Sequence, residues 1–319
     1  MSKTHREILR LALPSVVTNI TVPLLGLADT TIVGHLGRAE YIGAIAVGTT
    51  IFNIAYWLLA FLRMGTTGLV AQAKGESWAK RREEPSPLML SILRRALLLA
   101  LGLSLVLLLA RSPILHLALW LMPAEGETAT LVARYYHICI WGAPAMLSLF
   151  VLNGWFIGCQ DTRTPMWVAI GQNVLNIALS LLMVYGLGWK IEGVAVGTLA
   201  AQWCAFSLAL VLVWRHVPHN APRADGGSGV SLSRFLGVNR DIFLRTLCLV
   251  AVTLYFTSAG TRQGGTTLAA NALLMQLFIL YSYFTDGLAN AAEALSGKYA
   301  GAGKRAMLHR TVRCLFGQG

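Results

Sequence analysis

Charge is scarce in this chain. Of 319 residues only 13% are Asp, Glu, Lys or Arg, and 14 are acidic against 26 basic. With 55% hydrophobic residues and a mean hydropathy of +0.61, the composition excludes an ordinary soluble domain and indicates a protein that crosses a membrane several times. Cysteine is scarce too. Cys139, Cys159, Cys204, Cys248 and Cys314 are scattered and form no CxxC pair. They are expected to be small buried hydrophobes, with no disulfide framework and no metal site. Phosphate-loop, HExxH, GxSxG and Cys/His zinc patterns are all missing, so no enzyme chemistry and no cofactor is expected. The net charge of +12 would suit a nucleic-acid partner, but the basic residues sit in short clusters between apolar runs. That is the pattern of topology signals, and no nucleic-acid partner is expected.

What the chain does contain is apolar sequence in membrane-length runs. A window of about 20 residues finds eight, at 8–33, 42–71, 92–110, 131–157, 166–187, 193–214, 240–260 and 267–296. The expected fold class is therefore all-α, a polytopic transmembrane helical bundle. Basic clusters precede the first run (Lys3, Arg6, Arg10), follow the second (Lys74, Lys80, Arg81, Arg82), follow the sixth (Arg215, Arg223, Arg234) and follow the eighth (Lys298, Lys304, Arg305, Arg310). The alternate gaps carry only isolated basic residues such as Arg38, Lys190 and Arg262. The positive-inside rule then puts both termini of a multi-pass membrane protein in the cytoplasm. The first run is too long for a signal-peptide core and lacks a cleavage pattern, so it is expected to stay in the mature protein.

Within that first run stands one ionisable group, Asp29. A carboxylate at such a position is costly and usually faces a bundle interior or a watery cavity on an ion or substrate path. Pro14 and Pro23 lie in the same run. Each removes a backbone donor, so the helix has built-in points of bending. Thr18, Val22, Leu25 and Asp29 fall on one helical face, which makes Thr18 a candidate for the same pocket. The alternative is that Asp29 is a helix-end residue in the headgroup layer.

The segment Arg215 to Asn239 joins Pro, Gly and Ser in the one long polar linker. The expected domains are a six-helix lobe at 1–214, a cytoplasmic linker at 215–238, and an incomplete second lobe of two helices at 239–319. An internal repeat agrees with this division: HREIL at 5–9 is echoed by NRDIF at 239–243, and LVAQAKGE at 69–76 by LSGKYAGA at 295–302. Units of six crossings share one orientation, so the two lobes should be related about the membrane normal.

Several longer stretches, NITVPLLGLADTTIVGHLG (19–37), LRMGTTGLVAQAKGE (62–76), GCQDTRTP (158–165), NVLNIALS (173–180), EGVAVGTLAAQ (192–202) and LAANALLMQLFILYSYFTDGLANAAEALSGKYAGAG (268–303), resemble the multidrug and toxic compound extrusion (MATE) transporters, in their DinF-like branch. The resemblance implies twelve spans in two six-helix lobes, of which this chain is similar to the first eight. It also implies a secondary antiporter that exports amphipathic or cationic organic compounds against proton or sodium entry. Such a protein would need no cofactor beyond its coupling ion, would sit in the lipid bilayer and would act as a monomer. The family's first-span aspartate, which Asp29 matches, is protonated from outside, and its protonation rearranges the bent first helix as substrate leaves. The family also pairs an Asn with an Asp four residues later in the fifth span. Here Asn176 is kept and the Asp position is Ser180, so a paired-carboxylate site cannot form in this lobe.

Gln172, Asn173, Asn176 and Ser180 make a polar strip on one helical face. It reads either as glue between helices or as an ion-coupling group in which Asn176 bonds Asp29 and tunes its proton affinity. Asp286 and Glu293, seven residues apart with Asn290 beside them, are candidates for a cation or proton relay or for substrate contact; Glu293 at the membrane surface is the alternative. Arg63, inside the second run, needs a partner or a wet cavity, and snorkelling or a structural pair is expected ahead of substrate contact. His137 beside Tyr135 and Tyr136 reads as packed or interfacial rather than as a proton shuttle. Gly193 and Gly197 permit close helix packing. Trp57, Trp141, Trp155, Trp189 and Trp203 suit interfacial belts or cavity walls. Two rival readings stand beside transport of drugs: a truncated, non-transporting membrane protein, and a flippase of lipid-linked sugars, which should carry more basic residues in its spans.

Overall fold

A computed structural model describes residues 3–81, 85–122, 126–217, 232–262 and 265–317, and every regular element among these described residues is helical. The helices are α1 (Lys3–Gly34), α2 (Ala39–Leu59), α3 (Phe61–Ala79), α4 (Pro87–Leu109), α5 (Arg111–Leu121), α6 (Gly126–Cys139), α7 (Ala143–Gly158), α8 (Arg163–Leu181), α9 (Lys190–His216), α10 (Leu232–Arg262), α11 (Gly265–Gly301) and α12 (Arg305–Phe316). By length and composition six segments qualify as membrane-crossing: 4–34, 39–79, 87–109, 127–158, 163–186 and 190–216. They coincide with the first six expected runs. α10 and α11, 31 and 37 residues long, occupy the last two.

Local chemistry explains where the runs are subdivided. The second crossing breaks at Ala60, whose N–H turns back to Trp57 O (3.2 Å) in a tightened turn. The fourth breaks at a 3₁₀ turn, Ile140–Gly142, just before Pro144 enters the first turn of α7, where its missing donor does no harm. The fifth ends in a π-helical turn at Leu182–Gly186, and Gly188 at φ +71° supplies the left-handed residue that reverses the chain into α9. In the GCQDTRTP segment, Asp161 Oδ1 accepts from the N–H groups of Arg163 (3.0 Å) and Thr164 (3.1 Å), capping α8.

Some expectations need correction. α5 and α12 were not anticipated; both are short, and α12 is basic on one side and apolar on the other. The linker limits also shift, because α9 runs through His216 and α10 already begins at Leu232; residues 218–231 lie outside the described residues. Of the cysteines only Cys139 is buried, while Cys204 and Cys248 stand exposed on helix faces. Trp155 is a core residue at 2% exposure, whereas Trp57, Trp141, Trp189 and Trp203 are exposed.

The core has three parts. One, built from α3, α4, α7 and α9, centres on Trp155 and Phe156. A second joins the end of α1 to α2, α6 and α9 around Tyr135 and Tyr136. The third joins the start of α1 to α11 through Ile8, Leu11, Ala291 and Leu295. Helix α1 is thus held between α11 at one end and the α6–α9 layer at the other. Exposed Leu, Val and Trp side chains are spread over the outer faces, as expected where lipid is the solvent.

Candidate functional site

Helix α1 is continuous across Pro14 and Pro23, yet its ladder is heavily loaded. The hydroxyls of Ser15, Thr18, Thr21, Thr30 and Thr31 all donate to carbonyls three or four residues earlier, with Thr18 Oγ1 on Pro14 O at 3.0 Å and Thr21 Oγ1 on Thr18 O at 2.7 Å. Such back-bonds weaken and bend a helix, and here they add to two missing proline donors. Neighbouring helices grip α1 by its backbone: Asn173 Nδ2 of α8 donates to Thr21 O (3.2 Å), and Tyr185 Oη to Ile32 O (3.0 Å).

Asp29 lies between those two grips, 4% exposed. Its Oδ1 is buried and accepts no hydrogen bond from any described residue. Tyr135 and Cys139 of α6 are within electrostatic range of it. The hydroxyls of Tyr56 and Tyr136 are buried and unbonded as well. Cys139 Sγ is bonded to Ala195 O of α9 (3.7 Å), so the unsatisfied oxygen of Asp29 stands beside polar groups already in use, and it calls for water, a proton or a ligand.

The polar strip of α8 is used differently from the sequence expectation. Asn176 does not bond Asp29. Its Nδ2 donates to Thr198 Oγ1 of α9 (3.0 Å), and its Oδ1 accepts from Ser180 Oγ (3.4 Å). The reason is the close approach of α8 and α9: a Cβ at Gly197 would come within 2.8 Å of Ser180 Oγ, so the small residue lets the two polar groups close on each other. Gln172 Nε2 makes a long contact to Met146 Sδ (3.9 Å). Thr18 is spent on its own helix, and His137 is exposed. Sequence reasoning missed Thr198, and it named Tyr135 and Cys139 without placing them beside Asp29; the YYHIC run of α6, with polar atoms in an otherwise apolar span, carried the available signal.

The second candidate group is brought together as a set of pairs. Arg63 Nη1 donates to Asn290 Oδ1 across the α3–α11 contact, and it lies 4.0 Å from Glu293 Oε2. Asp286 and Glu293 are both within range of Arg63 and of Arg245 on α10. Glu293 Oε2 is buried without a hydrogen bond, as Asp29 Oδ1 is, but it has the Arg63 guanidinium beside it.

A family model, MatE, matches residues 14–182, just over half of the chain and the part holding Asp29 and Asn176. The chain belongs to the MatE family. DNA damage-inducible protein F of Escherichia coli is 37% identical over 310 residues, covering 95% of this chain and 65% of that protein. Protein DETOXIFICATION 44, chloroplastic, of Arabidopsis thaliana is 26% identical, covering 92% of this chain and 57% of that protein. A probable multidrug resistance protein NorM of Bacillus cereus is 25% identical, covering 94% and 67%. The chain thus spans about two thirds or less of the length of these curated relatives. Among solved structures, a MATE crystal structure in the bent conformation superposes with a TM-score of 0.85 at 22% identity, over 98% of this chain and 69% of the other. An outward-facing multidrug resistance MATE transporter gives 0.82 at 21%, over 97% and 68%. At that identity these two establish the MATE fold. The family comprises membrane transporters, not enzymes.

Proposed function

We propose that this MATE chain is the part of a secondary antiporter that carries the ion-coupling lobe, in a protein exporting amphipathic or cationic organic compounds against proton, or sodium, entry. In this reading Asp29 faces the far side of the membrane in one state, takes up a proton, loses its charge and releases a cationic substrate held nearby. A ligand and a proton that compete for one carboxylate drive each other off by linkage, without touching. Asn173 and Tyr185, bonded to the backbone of α1, are the groups that would sense its bending, while Asn176 and Ser180 fix the α8–α9 wall.

The observation that carries the reading is the isolation of Asp29: buried, within a membrane-crossing helix, with an oxygen that no described protein group satisfies. A structural carboxylate in that setting would be paired. Asp286 and Glu293 face guanidinium groups and are assigned to holding helices together instead. The charge bias of the loops supports an inner-membrane protein with both termini in the cytoplasm, divided into a first lobe, a linker and the start of a second lobe. We take the unit to be a monomer. The test is substrate-dependent proton movement in everted vesicles containing the protein. Wild type should release protons from the vesicle as substrate enters, and Asp29→Asn should insert normally but do neither. Unchanged coupled transport in that variant refutes the role.

A further inference from the structure

Residues 96–124 contain a single Asp, Glu, Lys or Arg, and it is Arg111. It opens α5, just past the break at Ala110, whose N–H turns back to Val106 O (2.8 Å). The faces on either side of the break are apolar: Leu101, Leu105 and Leu109 of α4 and Leu117, Trp120 and Leu121 of α5 are all exposed. A wall of this kind on a membrane-crossing segment meets lipid. Arg94 and Arg95 mark one boundary of the bilayer, as basic residues at the end of an apolar run do. Arg111 follows Arg95 by 16 residues, about 24 Å of helix, in a hydrocarbon layer about 30 Å thick. The guanidinium therefore stands in the opposite leaflet, where a cation is costly and needs a counter-group.

The protein does not supply a carboxylate for it. Glu127 is taken by Arg38 and Glu192 by Arg134, and among the described residues no ion pair includes Arg111. Two other groups converge there instead. The guanidinium lies over the Trp141 ring, 5.9 Å from its centre. The hydroxyl of Tyr136, on a side chain only 1% exposed, has no hydrogen-bond partner and is within electrostatic range of Arg111. A guanidinium offers five N–H donors and no acceptor, and a tyrosine hydroxyl can donate one more. Both groups need an acceptor from outside the chain. The ring under Arg111 holds the guanidinium ready for it, because stacking on an aromatic face fixes a fork that is otherwise free to turn.

We propose that Arg111 is the centre of a binding site for an anionic phospholipid, with the guanidinium on the headgroup phosphate and the acyl chains against the exposed leucines of α4. Three observations select this occupant. A phosphate accepts two parallel N–H bonds from the guanidinium fork. The charge of Arg111 is unopposed, so a headgroup of net negative charge fits better than a zwitterionic one, whose ammonium would come beside it. The remaining distance to the headgroup layer, about 6 Å by the same helix count, is the reach of an extended arginine side chain. In the topology proposed above this is the outer leaflet, but the contact with phosphate does not depend on which leaflet it is. Tyr136 follows Tyr135, which is within range of Asp29, so the lipid braces the helix that lines the candidate site.

Native mass spectrometry of the full chain released from detergent micelles, titrated with dioleoylphosphatidylglycerol, reads the site without any transport assay. Wild type should retain one lipid above all others, and Arg111→Gln should hold it at least about tenfold more weakly. Arg111→Lys, which keeps the charge and loses the fork, should fall between them. Arg163→Gln removes an exposed arginine at the start of α8 and should retain the lipid as wild type does. Dioleoylphosphatidylcholine should bind wild type more weakly than the anionic lipid. Arg111 is exposed, so its variants should unfold at the wild-type temperature in lipid-free detergent, and the loss is then one of binding. Equal retention by wild type and Arg111→Gln overturns the site. Equal weakening in Arg163→Gln overturns it too, because net charge alone would then account for the binding.

Discussion

The surroundings of Asp29 and the α3–α11 contact lie in one bundle and handle charge in opposite ways. Around Asp29 a single carboxylate sits among tyrosine and cysteine side chains with an oxygen unsatisfied. Along that contact, Asp286 and Glu293 face Arg63 and Arg245, and the ammonium groups of Lys298 and Lys304 at its end are covered by Gln160 and Trp78. Where charges are matched, removing a proton or a partner mainly changes how firmly helices hold each other. Where a carboxylate is left alone, its own ionisation is the variable that a ligand can work against. One region leaves a carboxylate without a cationic neighbour, and the other sets its carboxylates beside guanidinium groups.

The variants that break this contrast can be ranked. Asp29→Asn should have the largest effect on function, a fall of at least about tenfold in proton-coupled transport, with no loss of folded protein by size-exclusion chromatography in detergent. Trp155→Ala, in the core of α3, α4, α7 and α9, should have the largest effect on stability, about 3–5 kcal/mol by the large-to-small rule, read from thermal unfolding in the same detergent. Asn176→Leu removes the α8–α9 bridge to Thr198 and should cost about 0.6–1.7 kcal/mol, the range for hydrogen bonds between membrane helices. It should leave the sign of coupling unchanged, because Asn176 does not touch Asp29. Smallest of all should be Arg38→Gln. Glu127 beside it holds the Arg38 guanidinium proton more firmly than usual through a hydrogen bond, but the pair is exposed. Unfolding of that variant should be indistinguishable from wild type at moderate salt.

Much of the architecture was legible in the sequence, for a simple reason: membrane-length apolar runs are governed by bilayer thickness, and the first six match the crossing segments in order. The pairing of Arg63 was legible for the same reason, since a guanidinium at that depth demands a partner. The echo between 69–76 and 295–302 had a physical counterpart too, because those are the helix ends that meet through Gly75 and Gly301. What could not be read was which neighbour each polar face would find. Helical spacing places Asn176 and Ser180 on one side of α8, but it does not say whether that side meets α1 or α9. The answer lay in Gly197, whose missing side chain brings α9 within reach. Short helices such as α5 and α12 fell below the length of a membrane window. The grip of Asn173 and Tyr185 on α1 uses backbone carbonyls, which every residue has and no motif marks.

The central claim is that ionisation of Asp29 is what substrate competes with, and proton release on binding measures it directly. In weakly buffered detergent solution, adding an amphipathic cation such as tetraphenylphosphonium to the wild-type protein should free protons, up to about one per bound cation where the group starts protonated. Asp29→Asn should free none. Equal release from both proteins would contradict the account.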